Sequence, residues 1–225
     1  MTRVVDALRG GCKNKPMLTQ PFHEQILAAT EASHRSAERT TFIVELMGGK
    51  LDQRAYLRYL AALAPIYEKM EALLRERADR PLVKSFDHRG LDRFDRMRTD
   101  IAVLSERVGV EAGVDLPETT ARYVSRLHDG IEDERLLAHH YIRYLGDLSG
   151  GQAIARLVVR HYQVPPEALT FYDFPDLGDA NHYKAEYRER LNSAQLTEAQ
   201  RHGFIDEAMQ LYALSGDLFT ELGQA

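Results

Sequence analysis

The sequence predicts an all-α, single-domain, multi-helix protein. Three observations carry this. Apolar residues recur at spacings of three and four along most of the chain. Nothing alternates with period two for long enough to make a strand. Helix starts and stops punctuate the periodic stretches, among them Gly48-Gly49, Asp52, Val164-Pro165-Pro166 and Thr197 followed by Gln200.

Composition bounds the function. The 225 residues are 44% hydrophobic, enough to fill one core over residues 21–225. A net charge of -5, from 29 basic and 34 acidic residues, argues against a nucleic-acid partner. The single Cys12 excludes an internal disulfide framework and fits a reducing, cytoplasmic setting. No apolar run approaches the roughly 18 residues that would span a membrane. Asp6, Arg9 and Lys13 interrupt Val4, Val5 and Leu8, so a signal-peptide core is not expected. Residues 1–20 read as a loose N-terminal leader.

The first helix is expected from Pro21 to about Glu45, with Leu27, Thr30, His34, Ala37 and Thr41 on one stripe. A lone helical histidine is usually a surface or satisfied core residue. Here the small neighbours leave room over the imidazole, and Glu38 sits one turn on, able to orient the ring. Gly48-Gly49 ends this helix, and Asp52 can cap the next, which runs to about Asp79 with Pro65 expected to kink it. Its stripe is Tyr56, Tyr59, Leu60, Leu63, Tyr67, Met70 and Leu74, and Tyr67 is most simply a core aromatic. A further helix covers 91–109, and Leu116-Pro117-Glu118 opens another. Beyond a long helical stretch ending at Val164-Pro165-Pro166, one helix is expected over 179–192 with Lys184 and Arg188, and a last from Thr197 to about Leu222.

Residues 138–162 organise the rest. Leu137, Tyr141, Tyr144, Leu145 and Leu148, then Ile154, Leu157, Val158 and His161, keep helical spacing. Yet Gly146, Gly150 and Gly151 interrupt it, each costing about 1 kcal/mol against Ala inside a helix. About 3 kcal/mol is a large fraction of a domain's net stability. No strand precedes these glycines and no Gly-Lys-Ser/Thr follows, so dinucleotide and phosphate loops are excluded. Arg143, Asp147 and Gln152 make the segment too polar for a membrane dimer motif. Two readings stay open: a tight helix-helix crossing, or a flat ligand pressed on the backbone beside Asp147.

Tyr-Ile-Arg-Tyr-Leu-Gly-Asp-Leu-Ser-Gly-Gly-Gln at 141–152 resembles the distal-helix signature of the haem oxygenases. Ala-Ser-His-Arg-Ser-Ala-Glu-Arg-Thr-Thr-Phe at 32–42 is similar to their proximal motif, and the likeness runs from about Gln25 to Leu222. The resemblance implies a haem sandwiched between a proximal and a kinked distal helix. It makes His34 the iron ligand, with Ala37 and Glu38 beside it, and Gly146, Gly150 and Gly151 the distal backbone surface. Asp147, Arg143 and Tyr67 become the proton-delivering network. Tyr141, Lys184 and Arg188 would reach the haem propionates, and Tyr212 and Phe219 would line the pocket. The implied reaction opens haem, both substrate and cofactor, to biliverdin, carbon monoxide and iron, using dioxygen and electrons from a ferredoxin or reductase. Where the family commonly has a propionate-binding Lys this chain has Leu27; His23, Lys13 or Lys15 are candidate substitutes.

Two rival classes fit parts of the pattern. A haem carrier or sensor would use His34 without turnover. A di-iron carboxylate bundle would use Glu31-Ala-Ser-His34, but such sites need a second Glu-x-x-His, and none is found.

Overall fold

The computed structural model describes residues 20–86, 89–110 and 116–224. Most of the expected leader, with Cys12, Lys13 and Lys15, lies outside the described residues. Among those described, the regular structure is entirely helical, as the periodicity predicted.

α3 (Gln53–Glu76) forms the centre, buried along nearly its whole length from Ala55 to Leu73. Asp52 caps it as expected, accepting from the Ala55 amide at 2.9 Å, and the helix continues through Pro65 without ending. α5 (Phe94–Val108) and α6 (Glu118–Arg126) pack on α3. α10 (Glu198–Leu222) packs on α1 (Phe22–Glu38), α6 and α7 (Asp133–Gly146). The predicted capping box at its start is present: the Thr197 hydroxyl accepts from the Gln200 amide, and Gln200 Oε1 accepts from the Thr197 amide. One apolar cluster extends from Phe22 to Leu222; each large side chain in it contributes about 1.5–3 kcal/mol by leaving water.

The first helix departs from expectation. It ends at Glu38, and α2 (Thr41–Met47) starts after Thr40, whose backbone turns extended at ψ 144°. The Thr40 hydroxyl donates to the Ala37 carbonyl at 2.9 Å, satisfying the end of α1, and the redirected chain buries Phe42 and Leu46. The buried stripe of α1 is Phe22, Gln25, Ile26, Thr30 and Ala37, so Leu27 and Thr41 point to solvent. A short helix, α4 (Pro81–Lys84), has too few residues to show periodicity.

The segment after α7 stays helical but changes pitch. Asp147–Gly151 is a π turn, and α8 (Gln152–Tyr162) follows directly. Gln163, in the left-handed region at φ 55°, ends α8 before Val164-Pro165-Pro166, as the prolines predicted. Two 3-10 turns, Pro166–Ala168 and Thr170–Tyr172, lead to α9 (Ala180–Ser193).

Candidate functional site

The π turn explains the glycine cost. A π turn widens the helix, and such turns favour functional sites. At Gly146 and Gly150, an added Cβ would meet no atom within 4 Å: both face open space. Gly151 differs, because its Cβ would stand 3.2 Å from the Tyr172 ring. Its backbone lines the site, and a side chain there would press on the Tyr172 ring.

That open space is a cavity of about 410 Å³. Gly146, Asp147, Gly150 and Gly151 form one wall, with Ala153 and Ile154 of α8. His34, Ala37 and Glu38 of α1 and Ile43 and Met47 of α2 form another. Tyr212, Ser215 and Phe219 of α10, with Tyr59, Ile142 and Arg143, complete it. The wall residues are mostly apolar and their polar groups are few, the composition of a small-molecule site.

The expected network assembles around Asp147. The Tyr67 hydroxyl donates to Asp147 Oδ2 at 2.6 Å. Burial pushes the Asp147 carboxyl up to about 7, outweighing the Tyr67 hydrogen bond and the charges of Arg143 and Arg93, which favour ionisation. Tyr67 is driven the other way from ionising, first by burial and then by Asp147's charge, so its hydroxyl remains a donor. Arg143 is buried; it donates to Ser215 Oγ at 2.8 Å and lies 5.3 Å from the centre of the Tyr123 ring. Burial alone would lower its pKa, but Tyr123, Tyr67 and Asp147 more than compensate, so it stays charged. Its buried Nε has no hydrogen-bond partner within the protein.

His34 stands at the opposite wall, its side chain 47% exposed. Its ring meets Tyr212 edge-on at 5.1 Å, and its Nε2 lies 3.5 Å from Glu38 Oε1, the expected neighbour. Thus His34, Ala37, Glu38, Gly146, Asp147, Gly150, Gly151, Arg143, Tyr212 and Phe219 share one cavity, with Tyr67 immediately behind Asp147.

Three predicted site residues are not brought to that cavity. Tyr141 is buried in an aromatic stack against Tyr187 and Phe204. Lys184 turns its ammonium onto the outer side of the π turn, 3.2 Å from both the Leu148 carbonyl and Ser149 Oγ. Arg188 is exposed and faces a separate surface groove that also contains His23 and His182. The reason is rotational: helical spacing puts Lys184 and Arg188 on one face, but Tyr183, Tyr187 and Leu191 take the buried side of α9. His23, a candidate substitute for the cation missing at Leu27, lies in the same groove as Arg188, its Nδ1 3.0 Å from Asn192 Oδ1.

Sequence reasoning missed Ser215 and Tyr59 as site residues. Both lie on apolar stripes where a small polar or aromatic side chain reads as core filler. A small hydroxyl one turn from Tyr212 and Phe219 was the available signal for Ser215. Among the described residues, no group of three or more His, Cys, Asp or Glu is placed to hold a metal ion, which leaves the di-iron alternative without a cluster.

The chain matches the family model described as "Heme oxygenase" over residues 20–221. It is 32% identical over 212 residues to heme oxygenase 1 of Homo sapiens, covering 91% of this chain and 73% of that one. Heme oxygenase 1 of Nostoc sp. (strain PCC 7120 / SAG 25.82 / UTEX 2576) is 28% identical over 201 residues, covering 88% and 84%. The structure superposes on heme oxygenase-2 from Synechocystis sp. PCC 6803, solved in complex with heme and NO, with a TM-score of 0.83 at 28% identity, covering 91% and 86%. The heme oxygenase structure from Leptospira interrogans gives 0.81 at 28% identity, covering 90% and 100%.

Proposed function

The chain belongs to the haem oxygenase family, and from that premise we propose that it opens haem to biliverdin, carbon monoxide and iron at the cavity between α1 and the π turn. The observation that carries this reading is the Tyr67–Asp147 pair, set beside Gly146 and Gly150 and across the cavity from His34.

The residues fit haem. A flat macrocycle needs an iron ligand, an apolar slot and a wall without side chains. His34 offers the ligand, oriented by Glu38. Ala37, Ile43, Met47, Tyr212 and Phe219 offer the slot. Gly146 and Gly150 leave the facing wall bare. Haem, as substrate and cofactor together, supplies the iron that takes up dioxygen and the ring that is opened; a ferredoxin or a reductase is the proposed electron source.

The protein's own part is proton handling and exclusion. An Asp147 carboxyl near 7 is present in both protonation states at neutrality, so it can release and recover a proton. The Tyr67 hydroxyl fixes Oδ2, and Arg143, anchored on Ser215, holds a positive charge that acts on the carboxylate. At Gly146 and Gly150 the wall presents backbone only, with Asp147 the ionisable group between them. Protons therefore arrive through Asp147 and water, not from a strong acid in contact. For the anionic rim, Lys184 and Arg188 on α9 remain the proposed cations, with Lys184 exchanging the Leu148 carbonyl for a haem carboxylate. The single Cys12 supports placing the reaction in the cytoplasm; among the described residues, no helix is long and apolar enough to cross a membrane.

The test is reconstitution. Haemin added to the protein, with reductant and air, should show the haem absorption band decaying as biliverdin absorption grows. A carrier would instead retain an unchanged haem band through the same treatment.

A further inference from the structure

α9 carries the two proposed rim cations; besides its packing on α1, where Asn192 meets His23, its setting rests on its own buried side. Its buried face is Tyr183, Tyr187 and Leu191, with Tyr187 fully enclosed. Tyr187 follows Lys184 by three residues and directly precedes Arg188, so any rotation about Tyr187 moves both cations. Its ring rests on Phe86 at 4.9 Å and lies nearly parallel to His140 at 5.5 Å and 21°. Its hydroxyl lies 2.9 Å from His140 Nδ1.

His140 belongs to the helix that leads into the π turn. It is buried, and it meets Tyr144 edge-on at 4.7 Å. Beyond the ring contact of Tyr187 with Tyr141, polar ties join α9 to the distal segment at two places: Lys184 on the Leu148 carbonyl and Ser149 hydroxyl, and Tyr187 on His140. The first must break if Lys184 is to take a substrate carboxylate. The second is inside the protein and is not consumed by binding.

We propose that His140 is a specificity-determining positioning residue, which through Tyr187 fixes the rotation of α9 and so sets where Lys184 and Arg188 hold the haem rim and which meso carbon is opened. This rests on the reading of those two cations as carboxylate contacts. Burial keeps both the His140 ring and the Tyr187 phenol neutral, so one hydrogen bond joins them throughout the neutral range, its direction following the His140 tautomer.

Two variants test this on the full-length protein. Tyr187→Phe removes the hydroxyl and keeps the ring stack. His140→Leu/Tyr187→Phe removes both polar partners and leaves no unsatisfied group, so it guards against a variant that fails to fold. The first readout needs no haem: amide hydrogen exchange across α9 should quicken by about fivefold or more, with α10 unchanged. The second is the biliverdin isomer distribution, which should broaden relative to wild type.

Unchanged exchange in α9 would overturn the proposal, because the hydrogen bond would then not hold the helix. Lys184→Ala/Arg188→Ala serves as the control for the underlying reading. If that variant alters the isomers while faster exchange in Tyr187→Phe does not, His140 sets no specificity and the proposal fails on its own. If neither alters them, the cations do not read the rim, and both fall together.

Discussion

The Tyr67 hydroxyl donates to Asp147 Oδ2 at 2.6 Å, joining the centre of α3 to the π turn across 80 residues of sequence. Because the bond favours the ionised carboxylate, it opposes the burial that raises the pKa to about 7. Tyr67→Phe should therefore move the Asp147 midpoint above 7, leaving a smaller ionised fraction at neutrality. Infrared titration of the carboxyl band against an Asp147→Asn control measures this. A midpoint that stays or falls would mean that the bond does not govern the carboxylate.

Gly146 and Gly151 make a contrasting pair. Gly146→Leu should stabilise the haem-free protein by a few tenths to about 1 kcal/mol, since the side chain meets nothing and the helix gains propensity. The same side chain should abolish haemin binding by filling the cavity. Gly151→Ala should forfeit that gain, because its methyl presses on buried Tyr172. Thermal melts and haemin titrations of the two variants check both outcomes.

His140 gives a pH signature. Burial holds it near 3 when folded, against about 6.5 unfolded. Its depressed pKa means that stability is fully present above pH 6.5 and is lost as pH falls toward 3, by up to about 1.4 kcal/mol per pH unit. Asp147 and Glu71, raised by burial to about 7, act oppositely by taking up protons first in the folded state. The difference between His140→Leu and wild type isolates the histidine. The variant should gain relative stability steadily below pH 6.5 in denaturant melts. A difference independent of pH would show that His140 is not held neutral.

His34→Ala should keep the fold, because the side chain is exposed, and should lose the spectrum of histidine-ligated ferric haem. A wild-type spectrum in this variant would give the ligand role to another histidine.

Much of this was legible in the sequence because one physical cause left one pattern. The stripe of α3, the Asp52 cap, the Thr197–Gln200 box and the prolines after α8 are local signals, and each stands as expected. The glycines at 146 and 150 were legible through their cost. The break at Thr40 was not, since a single extended residue held by its own hydroxyl leaves the helical spacing on either side intact. Nor was the rotation of α9, where Tyr183 and Tyr187 outcompete the cation face and leave Arg188 in a different groove. The exposure of Leu27 and Thr41, at the two ends of the expected stripe, has the same cause: which arc of a helix is covered depends on its neighbours, here α10 and α9. Gly151 was read with the other two, although only the distant Tyr172 distinguishes it.

Asp147, fixed by Tyr67 and flanked by Gly146 and Gly150, is proposed to deliver the protons for ring opening. Biliverdin formed per haem consumed, measured for Asp147→Ala beside wild type under reductant and air, tests it most directly. The variant should bind haemin about as tightly as wild type, with its biliverdin yield falling at least about a hundredfold, the lower end of what a positioned proton-transfer group contributes. An undiminished yield of biliverdin from Asp147→Ala would contradict it.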